Sequence, residues 1–133
     1  MSLQKDMQVQ KKIKLGMFLP PIPDRRWHLA AQAGVTGAIC KFDRKYDVTD
    51  LDSFASARKS FADAGFELTA LEGDQFDMSR IKLGLPGRDE DIEKYLRMLG
   101  NMGKLGIRIL CYNFMGEWVG SVLKQRFLTG EGL

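Results

Sequence analysis

The chain has 133 residues, the length of one ordinary domain with a single core. Hydrophobic residues make up 44% of the sequence and charged residues 28%, which excludes intrinsic disorder and a fibrous chain. The net charge of +3 is modest, and part of it lies in a polar leader, residues 1–12. Neither the charge nor its pattern favours a nucleic-acid partner.

The sequence also gives no sign of a membrane or secretory segment. No apolar run approaches the roughly 18 residues of a membrane span, and the N-terminus lacks the apolar core of a signal peptide. Met1 to Leu3 fit a natural start and an expression remnant equally well, so the fold prediction does not use them. We therefore expect a cytoplasmic chain without a membrane partner.

The first predicted unit is a strand followed by a helix. Residues 13–19 form an apolar run that Pro20 closes, as expected for a buried strand. Asp24 is a suitable N-cap for a short helix, and Gly34 marks the end of that helix. Residues 35–40 are the second predicted strand.

The second unit has the same pattern. Asp50 is the predicted cap, apolar residues then recur at helical spacing, and Gly65 ends the helix. Residues 66–71 follow as the third strand. The connection after them, residues 73–88, is far longer than the two to six residues usual for such a loop.

The third helix is predicted to open at Asp89 or Glu90 and to end at residues 105–106. One apolar face is predicted for it, composed of Ile92, Tyr95, Leu96 and Leu99. Residues 107–112 are the fourth predicted strand. In the segment that follows, spacing indicates a short amphipathic helix through Trp118, Val122, Leu123 and Phe127.

All three helix-to-strand junctions place glycine before an apolar residue that enters the sheet at once. Such repeated units predict an α/β fold with parallel strands, since crossovers bury apolar strands on both faces. The pattern alone leaves open a barrel and an open doubly wound sheet. No glycine-rich dinucleotide fingerprint follows the first strand.

Four polar side chains are candidates for a substrate site. Glu72 and Asn113 directly follow the third and fourth strands, where barrels carry their chemistry, and Tyr112 precedes Asn113. Arg88 lies before a helix that opens with acids, and either binds a substrate carboxylate or pairs with Asp91. A solvated loop acid is an equally good interpretation of Glu72.

The charged residues Lys41, Asp43 and Arg44 follow the second strand and are suited to steering an anionic substrate, although charged loops of this kind are common. His28 is the single histidine and falls within a helix, so we interpret it as structural. The sequence shows no complete metal shell and no nucleophile–base pair.

The two cysteines, Cys40 and Cys111, lie in separate apolar stretches without CxxC spacing. This pattern indicates neither a zinc site nor a disulfide framework. We expect both to be reduced thiols in the core.

Two segments resemble the mannonate dehydratase family of the xylose-isomerase-like barrels. Residues 81–90 read Ile-Lys-Leu-Gly-Leu-Pro-Gly-Arg-Asp-Glu, and residues 111–115 read Cys-Tyr-Asn-Phe-Met after a strand that follows Gly-Ile-Arg. The resemblance extends over residues 13–115. It favours a partial (β/α)8 TIM barrel, the first four units of it, with residues 116–133 as an uncertain tail.

The resemblance implies a metal-dependent lyase that dehydrates D-mannonate to 2-keto-3-deoxy-D-gluconate in hexuronate breakdown, with a sugar acid as substrate. It implies Mn²⁺, held in that family by histidine, cysteine and aspartate from later strands. None of those positions exists in these 133 residues. A closed barrel usually needs roughly 250 residues, so we expect the chain alone to be inactive.

The resemblance weakens after residue 115. The family usually continues to a tryptophan followed closely by arginine, whereas Trp118 is followed by Val119 and Gly120. We therefore expect a truncated chain, a join of separate pieces near Gly116, or a diverged tail.

Two alternatives remain at this stage. A sugar isomerase or epimerase of the same barrel group is the nearest enzyme. A non-catalytic half-barrel that forms a homo-oligomer is the other, because unpaired strand edges and half a core make a lone monomer doubtful.

Overall fold

A computed structural model describes residues 13–42 and 45–114. The described strands form one four-stranded sheet in the order β1-β2-β3-β4, with every neighbouring pair parallel. Their bounds are β1 (Gly16–Phe18), β2 (Gly37–Cys40), β3 (Glu67–Glu72) and β4 (Ile109–Cys111). The prediction of consecutive parallel strands is confirmed.

Four helices lie between these strands: α1 (Arg25–Gln32), α2 (Leu51–Asp63), α3 (Ser79–Lys82) and α4 (Arg88–Lys104). Both predicted caps are present. The Asp24 carboxylate accepts from the backbone N–H of Arg26 at 2.8 Å, and that of Asp50 accepts from Ser53 at 2.7 Å. Each cap satisfies an amide that the first helical turn leaves without a partner.

The three predicted glycine junctions are also confirmed. Gly34, Gly65 and Gly106 have φ values of 74°, 87° and 73°, a region that residues with a Cβ rarely adopt. A glycine at each position turns the chain from a helix directly into the next strand, and this fixes the short helix-to-strand connections.

One core joins the sheet to the helices. Buried residues of α1, α2 and α4 form a single cluster with Ala38, Cys40, Leu68 and Leu71 of the sheet, so the three long helices cover the same face. Within it, Trp27 stacks on Phe61 with ring centroids 4.5 Å apart and meets Phe66 edge to face. Aromatic contacts of this kind add to the stabilisation from burial.

The opposite face of the sheet has no helix against it among the described residues. Register places Phe18, Ile39, Ala70 and Ile109 in one row across all four strands. Phe18 is 45% exposed and Ile109 53% exposed, both on edge strands. A uniform strand order with helices on one face is the arrangement of a barrel wall, and the doubly wound alternative needs helices on both faces.

The predicted apolar face of α4 is wrong in part. Tyr95 packs against the core, but Leu96 is 59% exposed, and Ile92 and Leu99 are each 38% exposed. The buried residues of this helix are Asp91, Met98, Asn101 and Met102. Two of these four residues, Asp91 and Asn101, are polar, so an apolar pattern does not mark the buried face.

Two further expectations need correction. Cys40 is buried as predicted, but Cys111 is exposed because it lies on the uncovered face of an edge strand. The long connection after β3 contains the helix α3, which is one turn long and has no side-chain cap to signal it. The helix predicted through Trp118 and Phe127 lies outside the described residues, as do Asp43 and Arg44.

No helix in the described part of the chain is both long and apolar enough to span a membrane.

Candidate functional site at the carboxyl edge of the sheet

The carboxyl ends of the strands form a rim, which we define by Leu19, Lys41, Glu72, Gly73 and the segment 112–113. Backbone hydrogen bonds hold neighbouring ends together beyond the strands themselves. The Leu19 amide donates to the Ile39 carbonyl at 2.8 Å, and the Gly73 amide donates to the Cys111 carbonyl at 2.8 Å. Parallel strands bring all these chain ends to one edge, which is where barrel enzymes bind their substrates.

Tyr112 and Asn113 line a cleft of about 230 Å³ at this rim. Gly73, Asp74 and Gln75 form one wall of the cleft, and apolar side chains form most of the rest: Phe76, Met78, Ile81, Ile92, Tyr95, Met98 and Phe114. Burial raises the pKa of Tyr95, and the nearby Tyr112 and Asp74 raise it further. The structure therefore places two of the four predicted site residues together.

Glu72 ends β3 and is exposed. Alternation along β3 puts it on the uncovered face two residues beyond Ala70, and its register partner on β4 is Cys111. Its side chain does not line this cleft. Nor does it line a second, larger groove, which lies between the loop after β2 and the connection after β3. Glu72 thus lies at the rim, facing what would be the interior of a closed barrel.

Arg88 is less well placed. It is the first residue of α4, lines neither cavity, and its Nε lies 3.5 Å from an Asp89 carboxylate oxygen in an exposed ion pair. The alternative prediction that Arg88 pairs with Asp91 is wrong. Asp91 pairs with Arg80 of α3 instead, and this pair already neutralises the Asp91 carboxylate.

The Arg80–Asp91 pair closes the long connection onto α4. Arg80 donates from Nε to one carboxylate oxygen at 2.6 Å and from its terminal nitrogen to the other at 2.5 Å, and Lys94 adds a contact at 3.3 Å. Asp91 is only 4% exposed, and the hydrogen bonds from Arg80 hold the pKa of its carboxyl below the ordinary value. Bidentate pairing of this geometry is among the stronger polar contacts in proteins.

A groove of about 1020 Å³ lies between the loop after β2 and the connection after β3. The charges of the described residues that line it balance, since Lys41, Arg80, Lys82 and Lys94 face Asp47, Asp74, Asp77 and Asp91. Lys82 pairs with Asp74 at 2.5 Å, and the hydroxyl of Thr49 helps to lower the pKa of Asp47. The described charges around Lys41 thus cancel, and they do not favour the steering of an anion.

Gln75 lies two residues beyond Gly73 of the rim, and the sequence did not single it out. Its side-chain oxygen accepts from the Phe42 amide at 2.9 Å, and its side-chain nitrogen donates to the Glu72 and Gly73 carbonyls at 2.9 and 3.0 Å. A polar residue in a polar loop carries no periodic signal, so sequence reasoning had nothing with which to select it.

The described residues do not provide a set of metal ligands. Residues 13–42 and 45–114 contain no group of three or more histidine, cysteine, aspartate or glutamate side chains placed to hold an ion. His28 is exposed on α1 and lines neither cavity. The described donors do not fit a metal centre.

Comparison with known proteins places these features in a family. The family described as D-mannonate dehydratase (UxuA) matches residues 26–130. The chain is 37% identical to mannonate dehydratase of Brachyspira hyodysenteriae over 96 residues, which cover 69% of this chain and 27% of the relative. It is 34% identical to that of Thermotoga petrophila over 101 residues, which cover 74% of this chain and 27% of the relative.

A solved structure agrees with these sequence relatives. The crystal structure of mannonate dehydratase from Streptococcus suis serotype 2 matches with a TM-score of 0.64 at 29% identity, covering 78% of this chain and 31% of that one. All three of these relatives are named mannonate dehydratase. The chain spans about 27% of the length of the curated relatives it matches. It belongs to the D-mannonate dehydratase family, and its four strands form part of that family's barrel.

Proposed function

We propose that this chain supplies the front part of the substrate-binding rim of a D-mannonate dehydratase, a lyase that forms 2-keto-3-deoxy-D-gluconate and water in hexuronate breakdown. The observation that carries the proposal is the family match over residues 26–130 together with a rim that presents Tyr112 and Asn113 beside Gly73. A cytoplasmic location belongs to the same proposal.

The proposed reaction removes the proton on C2 of the sugar acid and expels the C3 hydroxyl as water. The resulting enol then becomes the 2-keto acid, so no oxidant or reductant is needed. The Asn113 amide can donate to and accept from substrate hydroxyls, and Glu72 can accept from one. Tyr112 adds a hydroxyl at the same edge. Arg88 is the proposed partner of the substrate carboxylate, reached by movement of its exposed side chain.

The proposed dehydratase uses a divalent metal, Mn²⁺ in our proposal. The described donors do not fit such an ion. Its ligands in this proposal come from other parts of a complete barrel, so the 133-residue chain alone is expected to show no turnover.

The proposal can be tested with a chimera in which residues 13–114 replace the matching segment of the Streptococcus suis relative. We expect the folded, Mn²⁺-loaded chimera to dehydrate D-mannonate, and the 133-residue chain alone to leave it unchanged. Asn113→Ala in the chimera should lower kcat/KM by roughly tenfold to a hundredfold, as expected when a substrate hydrogen bond is lost.

Lys59→Ala is the matched control for that substitution. Lys59 pairs with Asp63 on the exposed side of α2, remote from the rim, and its loss should leave kcat/KM unchanged. A chimera that folds and binds Mn²⁺ but leaves D-mannonate intact would contradict the proposal. Turnover of ketoses in place of D-mannonate would instead support the isomerase alternative.

A further inference from the structure

Gln75 bridges two strand ends at a point that the β-ladder does not reach. The last paired residues of β2 and β3 are Cys40 and Leu71. Past them, the Gln75 side chain accepts from Phe42, which follows β2, and donates to Glu72 and Gly73, at the end of β3. Its oxygen faces an amide and its nitrogen faces two carbonyls, so only one orientation of the side-chain amide satisfies all three contacts.

The two sides of this bridge differ in how firmly they are held. Phe42 is buried, and its ring meets Phe54 and Tyr46 edge to face, so it is fixed to the core. Gly73 has a φ of 72° and belongs to the loop, and its amide donates to the Cys111 carbonyl on β4. Gln75 thus connects a point fixed to the core with the ends of β3 and β4.

We infer that Gln75 is a positioning residue, which sets the spacing of the β2, β3 and β4 ends and thereby the placement of Glu72 relative to Asn113. What the rim binds rests on the proposed function. What Gln75 holds in place rests on the hydrogen bonds alone.

The test measures amide hydrogen exchange in the 133-residue chain. Gln75→Met keeps the side-chain length but removes all three hydrogen bonds. We expect exchange at Phe42, whose amide loses its acceptor, to become roughly tenfold faster relative to the core amide of Leu68, the factor that one ordinary hydrogen bond produces. The Gly73 amide keeps its bond to the Cys111 carbonyl, so we expect its exchange to become faster by a smaller factor, as the end of β3 loosens. Normalising to Leu68 removes any change in global stability, because global unfolding exposes all three amides alike.

Gln75→Glu separates the two sides of the bridge. A carboxylate can still accept from Phe42 but cannot donate to the two carbonyls, so Phe42 should remain protected while Gly73 exchanges as fast as in the Met variant. A residue that merely filled space would not give this split. Asn101→Ala is the matched control, because Asn101 also bridges to two loop carbonyls, those of Val48 and Thr49, at another place.

Unchanged Phe42 and Gly73 ratios in Gln75→Met, or the same change in Asn101→Ala, would overturn the inference. A parallel titration with D-mannonate keeps the two ideas distinct. If the chain binds D-mannonate, Gln75→Met should weaken that binding by roughly tenfold, and unchanged binding would also overturn the inference. If the unaltered chain does not bind D-mannonate, the proposed function is weakened while the exchange ratios still decide the role of Gln75.

Discussion

Gly87, within the segment 81–90, has a clear structural role. Gly87 has a φ of 84°, and a Cβ there would lie 2.2 Å from a terminal nitrogen of Arg80. That guanidinium passes over Gly87 to reach the buried carboxylate of Asp91. The segment is therefore a structural lock for the long connection, and the sequence could not show this because the partner of Asp91 lies 11 residues away in a helix without a cap signal.

Gly87→Ala should destabilise the chain by about 1–3 kcal/mol, because the added carbon meets a guanidinium that cannot move without breaking its ion pair and because φ is positive. Gly100→Ala is the control. Gly100 lies within α4 with nothing inside 4 Å of an added carbon, so alanine should stabilise the helix by about 0.5–1 kcal/mol. Denaturant unfolding of both variants measures the difference. Equal destabilisation by the two would contradict the lock.

The Asp91 carboxylate makes the stability of the fold depend on pH. Its pKa is lowered in the folded chain from an ordinary value of 3.8, chiefly by the hydrogen bonds from Arg80. The ionised form therefore stabilises the fold fully above that ordinary value, and the stabilisation is lost as the pH falls through the lower folded pKa.

Melting temperatures of the wild type and Asp91→Asn should consequently differ at neutral pH and converge in acid below the ordinary pKa. Asp63→Asn removes only an exposed carboxylate paired with Lys59, and should shift stability by less than about 1 kcal/mol at neutral pH. A gap between wild type and Asp91→Asn that stays constant down to acid pH would show that the charge of Asp91 does not stabilise the fold.

Helices and strands were largely predictable because their signals are local. Asp24, Asp50 and the junction glycines act within a few residues of their own position, and the structure has helices and strands where they indicated. The buried face of α4 was not predictable in full. Asn101 is buried because its side-chain nitrogen donates to the carbonyls of Val48 and Thr49, more than 50 residues earlier, and this contact is invisible in a local pattern.

The corrected face of α4 gives a direct comparison of two large apolar residues. Met98 is 1% exposed, so Met98→Ala should cost about 2–5 kcal/mol through lost burial and a cavity. Leu96→Ala, two residues away and mostly exposed, should cost less than about 1 kcal/mol. Thermal or denaturant unfolding of the two variants tests this order. A larger loss of stability in Leu96→Ala than in Met98→Ala would support the buried face that was predicted from the sequence spacing.

Among residues 13–42 and 45–114, nothing covers the two outer strand edges of the sheet. β1 and β4 each pair on one side only, and neither strand contains a charged residue that would discourage further pairing.

The candidate site was predictable only in part. Residues that directly follow a strand could be predicted at the rim from the sequence, whereas the role of Gln75 depends on hydrogen bonds between two loops, which a local pattern does not show. The proposed roles of Glu72, Tyr112, Asn113 and Arg88 stay predictions.

We expect the purified chain to self-associate through the outer edges of β1 and β4. Sedimentation under reducing conditions should show species above 15.0 kDa, and Ile109→Lys on the edge of β4 should reduce their fraction. Lys59→Ala should leave that fraction unchanged. A well-folded monomer at all concentrations would contradict this expectation.

Interstrand proton contacts measured by NMR on the isotope-labelled chain test the parallel wall most directly. The account predicts contacts in parallel register between Met17 and Ala38, between Ala38 and Leu68, and between Ala70 and Ile109. Antiparallel contacts, or pairing of β1 directly with β4, would contradict the barrel wall and with it the placement of Glu72 and Asn113 on one rim.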